Sequence, residues 1–198
     1  YQVHGLKRRS SLINTKRIDE FFENKKIKDK SFFLHHGDMT DSSSLISLFN
    51  KVKPDEIYNL SGQSSVSKSF LDPQETFKSI TQASLNILEA IKVIGLSCKF
   101  YNASSSECFG DTGNVASTEK TNFNPCSPYG VAKSSSFWLT KNYRDSYNLF
   151  TCSGILFNHE SPLRPENFVT KKIISTAVKI YHKESFKLTL GDLSIKRD

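Results

Sequence analysis

The sequence predicts an α/β fold: a doubly wound parallel sheet with helices on both faces. Three observations carry that expectation. Short apolar segments of strand length alternate with segments of helical periodicity. The connections between them are short, as βαβ crossovers require. Polar candidates fall just after the strands, where ligands of such sheets bind.

The elements follow in order. Residues 2–6 form a short extended segment, and a polar stretch leads to a helix expected over 18–24. Ser31-Phe-Phe-Leu-His-His36 reads as a strand ending at Gly37-Asp38. Leu45, Ile46, Leu48, Phe49 and Val52 recur at helical spacing, so a helix is expected over 43–52. Glu56-Ile-Tyr-Asn-Leu60 is a buried-strand candidate. Leu85, Ile87, Leu88, Ala90, Ile91 and Ile94 belong to one long helix over 73–94, stopped by Gly95. Lys99-Phe-Tyr-Asn102 is a strand that runs into a serine-rich turn bearing Ser105 and Glu107. Ser127-Pro128 supplies the N-cap and first turn of the next helix, whose serines 134–136 read as small-residue packing. A third apolar strand is expected over 150–157, a helix over 170–181, and an alternating, strand-like segment over 186–190. The domain division expected is 1–160 and 161–198, the second being the start of a further lobe.

Composition narrows the function classes. The 198 residues are one domain's worth of chain, or a piece of something larger. The net charge of +7 comes mostly from scattered lysines, and the densest basic run is Lys7-Arg8-Arg9. Without an Arg-rich helix or zinc-finger spacing, solvation of the surface is the plainer reading, and nucleic acid is not an expected partner. Cys98, Cys108, Cys126 and Cys152 show no Cys-x-x-Cys and no clustering with His. That disfavours a metal site and a disulfide scaffold and fits reduced thiols. No apolar run approaches membrane-spanning length and no signal peptide opens the chain, so a cytoplasmic protein without a membrane partner is expected.

One constellation carries chemistry. Tyr129 and Lys133 stand four residues apart in Ser-Pro-Tyr-Gly-Val-Ala-Lys, hence on one helix face. An ammonium beside a phenol lowers its pKa and makes phenolate accessible near neutral pH. Such a base can take the proton of a sugar or alcohol hydroxyl while hydride leaves the same carbon. The spacing alone arises about once by chance in a chain this rich in lysine, and an exposed helix pair is its bland alternative. Its weight comes from the strand and serine turn just upstream, with Ser105 as hydroxyl donor and Glu107 as a second base. Simple alcohol oxidation would not need that second base.

One expected piece is absent. A dinucleotide-binding fold opens with a strand, a Gly-rich turn and a helix. None of the nine glycines forms Gly-x-Gly-x-x-Gly ahead of a helix; Gly110 and Gly113 follow a strand but lead into a loop. The expectation is therefore a Rossmann-like sheet incomplete at its first βα unit, in a chain that is an internal segment of a longer protein.

Five segments point further: His4-Gly-Leu-Lys-Arg-Arg-Ser10, His36-Gly-Asp-Met-Thr-Asp41, Asp55-Glu-Ile-Tyr-Asn-Leu60, Ala103-Ser-Ser-Ser-Glu-Cys-Phe-Gly110 and Gly154-Ile-Leu-Phe-Asn-His-Glu-Ser-Pro162, extended by Phe168-Val-Thr-Lys-Lys-Ile173. In these the chain resembles the extended short-chain dehydrogenase/reductase superfamily and, within it, the GDP-mannose 4,6-dehydratase family. The resemblance runs along essentially the whole chain, and the segment from Gly154 is its most specific part. It implies NADP as cofactor, GDP-mannose as substrate, and a dimer or tetramer. It implies Tyr129 as base, Lys133 as its support and ribose contact, Ser105 as hydrogen-bond donor to the reacting oxygen, and Glu107 as the base that drives loss of water. Ser106 before Glu107 favours the GDP-mannose branch over the glucose-nucleotide dehydratases, which resemble an Asp-Glu pair there.

The same resemblance places Arg8, Arg9 and Ser10 at the cofactor. Arginine suits a 2′-phosphate through its fork of donors, whereas an NAD enzyme would be expected to carry an acid there, and the nearest in sequence is Asp19. Asp38 and Met39 resemble an adenine-contacting pair, with a capping Asp as the alternative. Leu60, Ser61, Gln63 and Ser64 resemble the loop under the cofactor, and His159 and Arg164 further contacts. Asn158, Val169, Lys172 and Arg197 match substrate positions, where cations would meet the diphosphate. Ser105 departs from a family Thr, Glu75 from a Tyr near the cofactor, Leu163 from a basic residue and Ser65 from a His. Two other readings stay open: a different nucleotide-sugar epimerase or reductase of the superfamily, against which Glu107 speaks, and a non-catalytic binding or oligomerisation module.

Overall fold

The computed structural model describes all residues except 11–14, 114, 185–186, 192 and 194–198. Among the described residues there are five strands, β1 (Val3–Lys7), β2 (Phe32–His36), β3 (Glu56–Asn59), β4 (Lys99–Ser105) and β5 (Thr151–Leu156). Every pairing among them is parallel. They form two sheets, β1–β2 and β3–β4–β5. The single sheet expected from the sequence is thus divided, and the physical reason lies in strand order. In a dinucleotide-binding sheet the first strand lies between the second and the fourth. The observed split into β1–β2 and β3–β4–β5 is the one that order gives when its first strand is not among the strands present. The architecture is Rossmann-like and incomplete at its first βα unit.

The helices are α1 (Asp19–Glu23), α2 (Ser42–Val52), α3 (Val66–Leu71), α4 (Pro73–Phe77), α5 (Ala83–Val93), α6 (Pro128–Tyr147) and α7 (Val169–Tyr181). Asp41 caps α2 by accepting from the Ser43 and Ser44 amides, which satisfies donors that a helix start leaves unpaired. The long helix expected over 73–94 is interrupted: a π-helical turn, Lys78–Gln82, separates α4 from α5. There Ile80 is buried against Ala132, and the Thr81 hydroxyl donates to the Ala132 carbonyl at 3.1 Å. Helix α3 is an addition that the sequence did not signal. Residues 187–190 form no strand, contrary to expectation, and Phe186 lies outside the described residues.

The core sits where α2, α5 and α6 meet the sheet, around Leu45, Phe49, Ile87, Leu88, Ile91, Phe100 and Tyr143. Each such side chain withdrawn from water contributes about 1.5–3 kcal/mol. The chain divides into two compact units, Tyr1–Leu156 and Phe157–Asp198; the division expected from sequence was a few residues later. Among the described residues no helix is long and apolar enough to cross a membrane.

Candidate active site

Strand β4 is longer than expected and ends on Ser105, not before it. Ser104 and Ser105 still pair with Ile155 and Leu156 of β5, so the serines belong to a buried ladder and not to a solvated turn. The Ser105 hydroxyl accepts from the Glu107 amide at 3.3 Å and starts a single 3-10 turn, Ser106–Cys108. That turn presents Glu107, half-buried, at the carboxyl end of β4.

Helix α6 is brought to the same place by its cap. The Ser127 hydroxyl accepts from the Gly130 amide at 3.0 Å, and Pro128 fills the first helical position. A Cβ at Gly130 would stand 2.6 Å from the Glu107 carbonyl oxygen. Only a residue without a side chain lets the first turn of α6 lie on the Glu107 turn.

Tyr129 and Lys133 share the buried face of α6, each 8% exposed. The Tyr129 ring packs with Ile80, Ala132 and Val66. The Lys133 ammonium donates to the Ala103 carbonyl at 2.7 Å and lies 5.9 Å from the Tyr129 ring centroid. Burial pushes Lys133 down to about 8, with Cys108 opposing the shift. A hydroxyl, a carboxylate, a phenol and an ammonium whose pKa burial lowers to about 8 are thus carried on the elements that meet at the β4–α6 junction. Such groups can hand protons to and from an alcohol.

Behind them runs a buried polar chain. The Asn59 amide nitrogen donates to Asn102 Oδ1 at 3.0 Å and to Ser84 Oγ at 3.1 Å, while Asn59 Oδ1 accepts from the Ser61 hydroxyl at 2.6 Å. Asn102 in turn donates to Ser136 Oγ at 2.9 Å. The chain ties the turn after β3 to the helix that carries Lys133. Ser136 is therefore more than small-residue packing. The signal available in the sequence was an Asn within each of two apolar strands, since a buried amide must find partners.

A second feature lies at the carboxyl ends of β1, β2 and β3: a pocket of about 300 Å³ lined by Arg8, Asp38, Met39, Ser61 and Gln63, with Gly62, Lys68, Glu75 and Lys78. Gly62 is at φ 108°, and a Cβ there would meet Ile80 Cγ1 at 2.7 Å, so the floor of the turn requires glycine. Asp38 Oδ1 accepts from both the amide and the hydroxyl of Thr40 at 2.8 Å. The Thr40 amide, then its hydroxyl, holds the Asp38 carboxyl below its usual range, with Arg8 and Lys78 adding to the effect. The helix-capping role falls to Asp41, not Asp38. Gln63 donates to Thr76 Oγ1 at 3.0 Å and accepts from the Ser65 amide at 2.7 Å, and Ser65 caps α3. Arg8 Nη1 lies 3.5 Å from Glu75 Oε1. Lys68, Lys78 and the reach of Glu75 were not legible in the sequence. Arg9, Ser10, Leu60 and Ser64 are exposed and do not line the pocket.

In the unit Phe157–Asp198, Asn158, His159 and Val169 are exposed. His159 Nδ1 lies 2.9 Å from the Phe157 carbonyl. The Arg164 guanidinium stacks 3.7 Å above the Phe168 ring centroid and lies 3.6 Å from Glu160. Lys172 donates to the Thr189 carbonyl, and Leu163 is exposed. Arg197 lies outside the described residues. Among the described residues no cluster of metal-ligating side chains occurs, and the four cysteines are free.

The family profile described as "GDP-mannose 4,6 dehydratase" matches residues 1–198. The chain belongs to the GDP-mannose 4,6-dehydratase family. Among its relatives, the GDP-mannose 4,6 dehydratase of Drosophila melanogaster is 48% identical, over 100% of this chain and 51% of the relative. Those of Vibrio cholerae and Homo sapiens are 47% and 46% identical, each again over 100% of this chain and 54% of the relative. The chain spans about half the length of these curated relatives. Among solved structures, RMD of Pseudomonas aeruginosa complexed with NADPH superposes with TM-score 0.78 at 23% identity, covering 98% of this chain and 68% of that one. A dTDP-glucose 4,6-dehydratase of Streptomyces venezuelae with NAD bound gives 0.79 at 19%, covering 90% and 53%. Both likenesses speak to the fold. The dehydratase family and the Rossmann-like architecture therefore agree.

Proposed function

We propose that the protein carrying this chain is an NADP-dependent GDP-mannose 4,6-dehydratase, a lyase forming GDP-4-keto-6-deoxymannose. The observation that carries the reading is the junction of β4 and α6, where the first turn of α6, bearing Tyr129, lies on the Ser105–Glu107 turn at Gly130 and Lys133 reaches the Ala103 carbonyl of β4. Family membership supports the substrate, because the relatives named above carry that activity in their names.

The pocket beside Arg8 fits a nucleotide cofactor. It lies at the carboxyl ends of three parallel strands, and it combines cations with hydroxyl and amide groups. Arg8, Asp38, Met39, Ser61 and Gln63 would hold the adenosine half; Arg9, Ser10, Leu60, Ser64, His159 and Arg164 are the remaining candidates. Bound there, NADP would supply reversible hydride acceptance, so that no net oxidation is required.

The chain's own groups move the protons. Tyr129, as phenolate, takes the proton of the mannose C4 hydroxyl while Ser105 hydrogen-bonds that oxygen. Lys133 stabilises the phenolate by charge proximity. The C4 ketone acidifies the C5 hydrogen; Glu107 takes that proton and returns it to the departing C6 hydroxyl, which leaves as water. With the hydride returned to C6, a proton added at C5, balanced by release of the one Tyr129 took, would complete the product and leave both bases as they began. Asn158, Val169, Lys172 and Arg197 are proposed to hold the nucleotide-sugar diphosphate. A cytoplasmic homo-oligomer, dimer or tetramer, is the proposed assembly.

The test is product formation from GDP-mannose and NADP by the complete reading frame that carries this chain, with Glu107→Gln as control. A product lighter by one water, lost in the variant, supports the reading. A folded protein that binds NADP yet releases no water from GDP-mannose overturns it.

A further inference from the structure

We propose that Glu75 sets discrimination between nucleotide cofactors with and without a 2′-phosphate, by competing for the Arg8 guanidinium. The inference rests on the cofactor reading above and concerns the same pocket. Near a ribose, an acid in the Arg8 region would favour a free 2′-hydroxyl, whereas arginine favours a 2′-phosphate. In sequence the nearest acid is Asp19. The fold brings in another from far along the chain.

Glu75 lies in the first turn of α4, where Asp72 caps the helix by accepting from the Glu75 amide at 3.1 Å. The cap fixes the backbone, and the carboxylate reaches to 3.5 Å from Arg8 Nη1. Both residues line the pocket beside Asp38. With 66% of the Arg8 side chain and 36% of the Glu75 side chain accessible, a solute can reach the pair.

A guanidinium binds an anion through a fork of parallel donors. A phosphate monoester arriving at Arg8 must share that fork with a carboxylate or displace it, and its own charge of about −2 is repelled by Glu75. A cofactor with a free 2′-hydroxyl meets no such repulsion and can donate to the carboxylate. Arg8 therefore pulls toward the phosphorylated cofactor and Glu75 pulls back, so the wild-type preference is narrower than arginine alone would give.

The experiment is titration of the protein from the complete reading frame with NADP and with NAD, for wild type, Glu75→Gln, Arg8→Gln and the double variant. Glu75→Gln is expected to raise NADP affinity about fivefold without raising NAD affinity, a gain that shrinks in about 1 M salt, where the Debye length is near 3 Å. In the Arg8→Gln background most of that gain should vanish, because coupled residues show non-additive effects. An unchanged NADP-to-NAD ratio in Glu75→Gln overturns the proposal, as does an equal gain for both cofactors or a full gain without Arg8. Failure of folded wild type to bind either cofactor overturns the cofactor reading itself.

Discussion

The two ends of the site are built from opposite materials. At the junction of β4 and α6, Ser105, Tyr129 and Lys133 are buried, and each is held by a cap, a strand pairing or a carbonyl. At the pocket by Arg8, charged side chains meet within reach of water, and the ion pair there joins an exposed Arg8 to a half-buried Glu75. Burial makes the first end stiff, because a desolvated polar group without partners costs more than its hydrogen bond returns. Exposure makes the second adjustable, because screened pairs of this kind contribute only about 0–1 kcal/mol. The difference teaches where substitutions should hurt: folding and proton transfer should answer to the buried end, cofactor choice and salt sensitivity to the open one.

The sharpest way to break that contrast is at Tyr129. In the proposed reaction Tyr129→Phe should lower turnover about 10²–10⁴-fold, with little change in the thermal midpoint, because general acid–base groups contribute on that scale. Steady-state dehydration rates and a melting curve check both halves; turnover near that of wild type would remove Tyr129 from the proton path.

Next comes the buried polar chain. Asn102→Ala removes the partner of both Asn59 and Ser136. A loss of about 2–4 kcal/mol is expected in urea denaturation, each stranded buried group costing about 1–3 kcal/mol. A loss below about 0.5 kcal/mol would mean the chain is not holding the two elements together.

Lys133 ties stability to pH. Its pKa in the fold, about 8, lies below the ordinary value of 10.5. Between those values the unfolded chain binds the extra proton, so the fold gains stability from this residue as pH rises through that window and is penalised below it. Lys133→Met should flatten this rise and stabilise the fold at pH 7 by up to about 3 kcal/mol, while abolishing turnover. Denaturation at about pH 7 and pH 10 reads the slope; a variant with the wild-type slope would show that another group controls it.

The smallest effect belongs to the open end. Arg8→Ala should change folding stability by less than about 0.5 kcal/mol, since Arg8 is exposed and its pair with Glu75 is open to screening. Its consequence should be seen in NADP binding and in the salt dependence of that binding. A large loss of stability would mean that the two ends are less different than their burial implies.

Particular residues show how much was legible beforehand. Ser127-Pro128 announced a helix start, and α6 begins there with the Ser127 cap. The apolar repeat from Leu45 to Val52 became α2, with Leu45 and Phe49 buried. The expected helix over 73–94 was less simple, because the repeat that reveals a helix does not reveal a π-helical turn within it. The strand expected over 186–190 failed in its described part. Short alternating segments fit a pleated surface but need a neighbour to pair with, and residues 187–190 pair with no strand among the described residues. The division of the sheet was not expected from the sequence; it rests on the pairing of β1 with β2 alone and of β3 with β4 and β4 with β5.

By itself, then, the sequence determined what depends on near neighbours: the strand and helix rhythm, the cap at Ser127, and Tyr129 and Lys133 on one face through their spacing of four. Only the tertiary structure decided what depends on distant partners. It set the Ala103 carbonyl against the Lys133 ammonium, linked Asn59 through Asn102 to Ser136, and brought Glu75 to Arg8. Helical periodicity acts over one turn and can be read along the chain. Hydrogen bonds, desolvation and charge act through space, between segments that the chain brings together only when it folds.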